Sequence, residues 1–198
     1  MQRRRSGPAW GVAGIYVRVE VERRTWAAAG VDAGVGAQVQ GVAVADLFLD
    51  RGLPIVSLRG RTADITRRYV DGSPQRWPGL PIAILVDSNT ASAAEIVAGA
   101  LQDEHRAVII GGRTYGKGSA QSIFPLPDGS AVRLTTARWF TPSGRSIDSS
   151  GIAPDIRLAS TRGDSALLPA VTLLRGVRTP AELQQRVPRT ISAAGREP

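Results

Sequence analysis

Residues 81–118, PIAILVDSNTASAAEIVAGALQDEHRAVIIGGRTYGKG, constrain the fold more than any other stretch of the chain. The apolar run PIAILVD ends at an acidic turn and reads as a buried strand. SNTAS carries helix-start residue types, and Ile96, Val97, Ala100 and Leu101 follow at helical spacing. AVIIG is a second buried strand. It runs into GGRTYGKG, whose glycines mark a shaped loop. Two residues stand out: Ser92 at the mouth of the helix, and Lys117 between two glycines.

Lys117 is the only lysine; the other 24 basic residues are arginine. An arginine does not deprotonate in a protein, whereas a desolvated lysine acts as a base. Biased codon usage accounts for the arginines but not for the place of the one lysine, directly after a buried strand. The remaining composition excludes other chemistries. With no cysteine there is neither a disulfide nor a thiol nucleophile, and with one histidine, His105, there is no zinc site of histidine and cysteine. Carboxylate clusters for a metal are not visible, and no cofactor is expected. The chain of 198 residues is 42% hydrophobic and 21% charged, enough for one globular domain with a core. The net charge of +8 comes from scattered arginines without aromatic interleaving, so no specific nucleic-acid partner is expected. No apolar run approaches the ~20 residues of a membrane span.

Three regions emerge along the chain. Residues 1–40 are atypical: a basic, faintly leader-like start broken by Gly and Pro, a strand over Ile15–Val21, and the glycine-rich VDAGVGAQVQ. Residues 41–160 carry the regular pattern. GVAVADLFLDRG predicts a helix with Val44, Leu47 and Phe48 on one face, ending at Gly52. LPIVSLRG predicts a strand, and residues 61–79 an excursion with one strand. After the central unit, SAQSIFPLPDGSAVRLTTARWFTPSG reads as two strands around a PDG turn, closed by a second turn. Residues 161–198 form a helical segment and tail. There DSALLPAVTLL is a helix interrupted by Pro169, Thr179-Pro180-Ala181-Glu182 is a capped helix start, and the last ten residues are frayed.

A Ser-His-Asp triad would have to use His105. If Ser92 starts the helix and His105 ends it, about 20 Å separate them. A Ser-Lys pair remains: a neutral lysine amine can take the serine proton, and a serine at a helix N-terminus has backbone N–H groups nearby for an oxyanion. Two other readings stand beside it. Ser92-Ala93-Ala94-Glu95 matches a capping box, so Ser92 can equally be a helix cap. Gly111 to Lys117 gives the G-x-x-x-x-G-K start of a phosphate-binding loop. Gly118 then replaces the Ser or Thr that holds magnesium, and the strand-like SAQSIFPL follows where a helix should open.

TASAAEIVAGALQDEHRAVIIGGRTYGKGSAQ, followed by LPDGSAVRLTTARWFTPSGRSIDSSGIAPDI, resembles the C-terminal processing (tail-specific) serine proteases, from Gly41 to Ile156. The resemblance implies an α/β, crotonase-like spiral core of ββα units, here N-terminally truncated and without the PDZ domain that usually precedes it. It implies a Ser-Lys endopeptidase acting on protein or peptide substrates with apolar C-termini. The family serine lies three residues before the Glu of its Glu-Ile pair and 25 before its lysine, which selects Ser92 against Glu95 and Lys117. The family glutamine four residues after the lysine matches Gln121 and orients the amine. The Ala93 N–H is an oxyanion donor, and Glu95 and Asp103 are structural supports. Family members occupy the periplasm or cell envelope. The family's Asp-x-Arg-x-Asn-x-Gly-Gly segment, which supplies a core strand and a second oxyanion donor, is replaced by VDAGVGAQVQ; Gly34 or Gly36 is the candidate substitute. The strand beside it would be missing, and self-association through the open sheet edge is expected. A non-catalytic peptide-binding remnant of the same fold is the competing reading.

Overall fold

The computed structural model describes residues 15–18, 33–159 and 166–188. The chain runs through β1 (Ile15–Arg18), α1 (Ala33–Asp46), β2 (Pro54–Gly60), β3 (Arg67–Val70), β4 (Ile82–Val86), α2 (Ala93–Asp103) and β5 (Val108–Gly111). It continues through β6 (Ser119–Pro125), β7 (Ala131–Phe140), β8 (Ile156–Arg157), α3 (Leu167–Leu174) and α4 (Pro180–Gln185). Two four-stranded sheets result. One is parallel, in the order β1-β4-β5-β8; the other is antiparallel, in the order β3-β2-β7-β6.

The parallel sheet explains why PIAILVD and AVIIG read as continuous apolar runs: both faces are covered. Ile82, Ile84, Val86 and Ile109 point into a core shared with Ile96, Val97 and Leu101 of α2 and Trp139 of β7. Ala83, Val108 and Ile110 face a second cluster with Ala170, Leu174 and Leu183 of α3 and α4. The antiparallel sheet is half-covered. Leu58 and Trp139, opposite each other, turn inward, while Arg59 and Arg138, the next pair along, are exposed.

Four expectations change. The first helix begins at Ala33, inside the glycine-rich stretch, and ends at Asp46 rather than Gly52. Local propensity disfavours that start; close packing on α2 favours it. A Cβ on Gly41 would lie 2.7 Å from the Ala93 carbonyl oxygen, so α1 and the start of α2 approach nearly backbone to backbone. Val44 is half-exposed, and the buried face is Ala45, Phe48 and Leu49. Pro169 does not interrupt α3: it sits in the first turn, where a missing N–H costs no helical bond. The β4 edge, expected to lack a neighbour, pairs with β1 in parallel, Ile15 opposite Ile82. The frayed tail expected over the last ten residues lies outside the described residues.

Candidate active site

The turn from β4 into α2 is held by its own side chains. Asp87 Oδ1 accepts the N–H groups of Asn89 (2.8 Å) and Thr90 (3.1 Å), and Thr90 Oγ1 accepts the Asp87 N–H at 3.1 Å. This wound turn delivers Ser92 to the helix start with φ 58° and ψ −117°. A non-glycine residue in that region carries strain of about 1–3 kcal/mol, and such strain persists only where surrounding structure enforces it. Here the enforcing group is Glu95, whose Oε2 accepts the Ser92 N–H at 2.8 Å.

Glu95 is fully buried and accepts three further bonds, all from the glycine-rich loop. Thr114 Oγ1 donates to Oε1 at 2.5 Å, the Gly116 N–H to Oε1 at 2.6 Å, and the Lys117 N–H to Oε2 at 2.9 Å. Every group aimed at the carboxyl is a donor, the pattern that an acceptor-only carboxylate satisfies. One oxygen thus receives the backbone N–H of both Ser92 and Lys117, and their nitrogens lie within the sum of those two short distances.

The loop is also locked from its far side. Thr114 is buried; its hydroxyl accepts the Ile152 N–H at 2.7 Å, and its own N–H donates to the Ile152 carbonyl at 3.1 Å. The Tyr115 N–H donates to the Thr90 carbonyl at 2.9 Å, and the Ser149 N–H to the Gly116 carbonyl at 2.9 Å. Glycine is required at 118, where a Cβ would lie 2.1 Å from the Asp148 nitrogen. Lys117 is therefore exposed at the surface of a loop whose backbone is pinned on both sides of it.

The other expected residues fall at differing distances from this junction. Ala93 is the first residue of α2, and its N–H donates to no group among the described residues. Gln121 lies on β6 at a register shift and is exposed; its side chain makes no hydrogen bond among the described residues. Asp103 sits at the other end of α2, about 16 Å from Ser92 along the axis. There it takes the Ser143 N–H at 2.9 Å and pairs with Arg145. Burial works to raise its carboxyl, but hydrogen bonds from Ser143 and Thr141 and the Arg145 charge hold it below the usual range. It ties the helix to the TPSGR turn. Gly34 and Gly36 are helical, seven and five residues before the Gly41 contact with Ala93. At about 1.5 Å per residue they lie displaced along α1 from the oxyanion position. The GKG loop leads into strand β6, so the helix that a phosphate-binding loop would open is not there.

Two contributors were not legible. Thr114 is one residue among the loop's polar positions, and only the fold reveals its hydroxyl as the bridge between Glu95 and Ile152. Arg106 looked like another scattered arginine but is buried. Its guanidinium donates to the carbonyls of Phe48 (3.0 Å), Leu80 (2.7 Å) and Trp77 (2.7 Å), fastening the segment ahead of β4 to the turn after α1.

A helix start bearing a strained serine, held by one carboxylate to a lysine loop on an α/β core, points to the peptidases as a class. The family model for Peptidase family S41 matches residues 34–158, and the chain belongs to that family. Over 117 residues it is 50% identical to the carboxy-terminal-processing protease of Bartonella bacilliformis, covering 59% of this chain and 27% of that protein. It is 43% identical over 121 residues to carboxyl-terminal-processing peptidase 2, chloroplastic, of Arabidopsis thaliana, covering 61% and 23%. The chain spans about a quarter of the length of these relatives. Among solved structures, the photosystem II D1 C-terminal processing protease superposes with a TM-score of 0.57 at 36% identity, over 73% of this chain and 36% of the other. No helix among the described residues is long and apolar enough to cross a membrane.

Proposed function

We propose that this chain is the catalytic core of a serine endopeptidase that cleaves protein substrates near their C-termini through Ser92 and Lys117. Ser92 Oγ attacks the scissile carbonyl while the neutral Lys117 amine takes its proton. The ammonium then returns the proton to the leaving amine, and the acyl-enzyme is released by a water activated in the same way. The Ala93 N–H faces the developing oxyanion, and the Gln121 amide, which makes no hydrogen bond among the described residues, turns to orient the amine when substrate is bound. The relatives' names, which speak of carboxy-terminal processing, support the substrate class. The observation that carries the reading is the shared Glu95 oxygen. A buried carboxylate that accepts the backbone N–H of both a strained serine and the chain's only lysine supports a joint role for the two. A helix cap alone needs no bond to a loop more than twenty residues away.

The test compares the wild type with Ser92→Ala and Lys117→Ala on an unfolded protein substrate with an apolar C-terminus. Turnover is expected only in the wild type. Equal turnover in all three removes the dyad.

A further inference from the structure

The β6–β7 hairpin and its turn carry a group of exposed large apolar side chains. Phe124, Leu126, Val132 and Leu134 are each between 39% and 51% exposed. Phe124 and Val132 stand directly opposite each other, and Leu134 follows on the same face of β7. Single exposed apolar residues need no explanation, but a contiguous set on one face does. That face of β7 continues through Thr136 to Arg138. Thr136 shares a hydrogen bond of 2.9 Å with Ser122, and Arg138 stands opposite Arg59 of β2. Arg68 of β3 lies on the same face, opposite Ser57. Phe124, Leu134, Arg59 and Arg138 line one open cavity of about 760 Å³, so the apolar and basic parts form a continuous surface. A second cavity of about 550 Å³, lined by Arg59, Arg67 and Arg68, extends the basic part across the sheet.

The charges on this face are poorly answered from within the molecule. Arg59 and Arg138, directly opposite, repel. Of Arg59, Arg68 and Arg138, only Arg138 has a carboxylate within ion-pair distance among the described residues, Asp148 at 3.2 Å. Asp128, in the hairpin turn, is folded back on Ser130, accepting its N–H at 3.0 Å and its hydroxyl at 2.6 Å. Three occupants differ in how well they fit. A second copy of the chain would set arginines against arginines. A nucleic acid would neutralise the arginines and leave Val132 and Leu134 in water. An anionic lipid surface answers both parts, with phosphates for the guanidinium groups and an acyl boundary for the apolar side chains. The net charge of +8 adds a long-range attraction of the same sign. We propose that the outer face of the antiparallel sheet docks on an anionic lipid bilayer. Phe124, Val132 and Leu134 enter the boundary between headgroups and acyl chains, and Arg59, Arg68 and Arg138 meet the lipid phosphates. The docking face goes beyond the peptidase reading and does not depend on it.

The full chain is mixed with vesicles of phosphatidylcholine, alone or with about one part in three of phosphatidylglycerol, and binding is read by co-sedimentation. The chain has no cysteine, so Leu134→Cys carries a single environment-sensitive fluorophore. Arg178→Cys, at an exposed position ahead of α4, carries the same label as a control. Binding to the mixed vesicles is expected, with a blue shift at position 134 and none at 178, and little binding to phosphatidylcholine alone. Arg59→Gln and Arg68→Gln are each expected to weaken binding about fivefold. Phe124→Ser combined with Leu134→Ser is expected to weaken it about tenfold or more. Equal binding to the two kinds of vesicle, or no binding to either, overturns the docking face. So does binding that leaves the label at 134 unshifted, or that is as strong in the arginine variants or in the serine variant as in the wild type. A blue shift at 134 that grows with protein concentration and needs no lipid overturns it in favour of a second copy. An equal shift produced by duplex DNA overturns it in favour of a nucleic acid.

Discussion

Lys117 and Glu95 divide the work at the candidate site between chemistry and geometry. Lys117 is the chain's only lysine, and in the proposed dyad its neutral amine is the group that accepts the serine proton. Lys117→Arg is therefore expected to abolish turnover as completely as Lys117→Ala, because arginine keeps the charge and cannot take the serine proton. A Lys117→Arg enzyme retaining most of its turnover in the same cleavage assay would reduce the lysine to an electrostatic role. Glu95 makes a different prediction. Its carboxylate accepts four donors. Glutamine has one acceptor oxygen and turns an NH₂ toward groups that are themselves donors. Glu95→Gln is expected to cost about 2–5 kcal/mol in denaturant unfolding and to lower turnover with it. A change within 0.5 kcal/mol contradicts the account of the junction. Glu95 was legible as the acidic residue of a capping box. Its reach to Gly116 and Lys117 was not, because a bond across 21 or 22 residues is fixed by the fold and leaves no local spacing pattern.

At the scale of elements, strands were the most readable part of the chain. β2, β4, β5, β6 and β7 each lie where an apolar or alternating run is bounded by turn residues, since burial of one or both sheet faces writes itself into the sequence. The start of α1 was misread for the converse reason. Its Gly41 approaches the start of α2 closely, and propensity alone ranks the glycine-rich stretch before it as loop. Gly41→Ala sets the two effects against each other. In an exposed helix interior alanine is favoured over glycine by about 1 kcal/mol. Here its Cβ would lie 2.7 Å from the Ala93 carbonyl and 3.2 Å from the Ala93 Cα, both backbone. Lower thermal stability and lower turnover are expected, since α1 must retreat from the residue after Ser92, the proposed nucleophile. A stabilised, fully active variant refutes the contact. The junction of α1 with β3 holds a second conflict. Asp71 is buried, one oxygen lacks a hydrogen-bond partner among the described residues, and Asp46 and Asp50 lie nearby. Burial, with those neighbouring charges, pushes its carboxyl up. A raised folded value means that stability is lost as pH rises through it. Asp71→Asn is expected to raise the thermal midpoint at pH 7, with the gain shrinking as pH falls into the ordinary carboxylate range. A gain independent of pH points to another cause.

At the scale of the whole molecule, the two sheets and α2 assemble the proposed nucleophile and base, while the proposed oxyanion side is thinner. In that proposal the Ala93 N–H is one donor. The family's second donor comes from a glycine pair ahead of the first helix, and in this chain AGVGAQVQ, from Ala33, is absorbed into α1 itself, with Gly34 and Gly36 displaced along the helix axis from the Gly41 contact with Ala93. The strand that the family segment supplies has a counterpart, because β1 pairs with β4. The parallel sheet is thus completed, and what lacks a replacement among the described residues is the donor. Removing one oxyanion donor costs about a hundred- to a thousand-fold in turnover. The dyad is therefore expected to acylate slowly: Ser92 should react with an irreversible serine-directed reagent in a Lys117-dependent manner, while steady-state cleavage stays low. The decisive comparison replaces residues 1–40 with a strand bearing Asp-x-Arg-x-Asn-x-Gly-Gly and measures turnover per folded molecule. A rise of about two orders of magnitude or more is expected. If the chain as it stands already matches the repaired one, residues 1–40 supply the second donor themselves, and the displacement of Gly34 and Gly36 along α1 has no catalytic consequence.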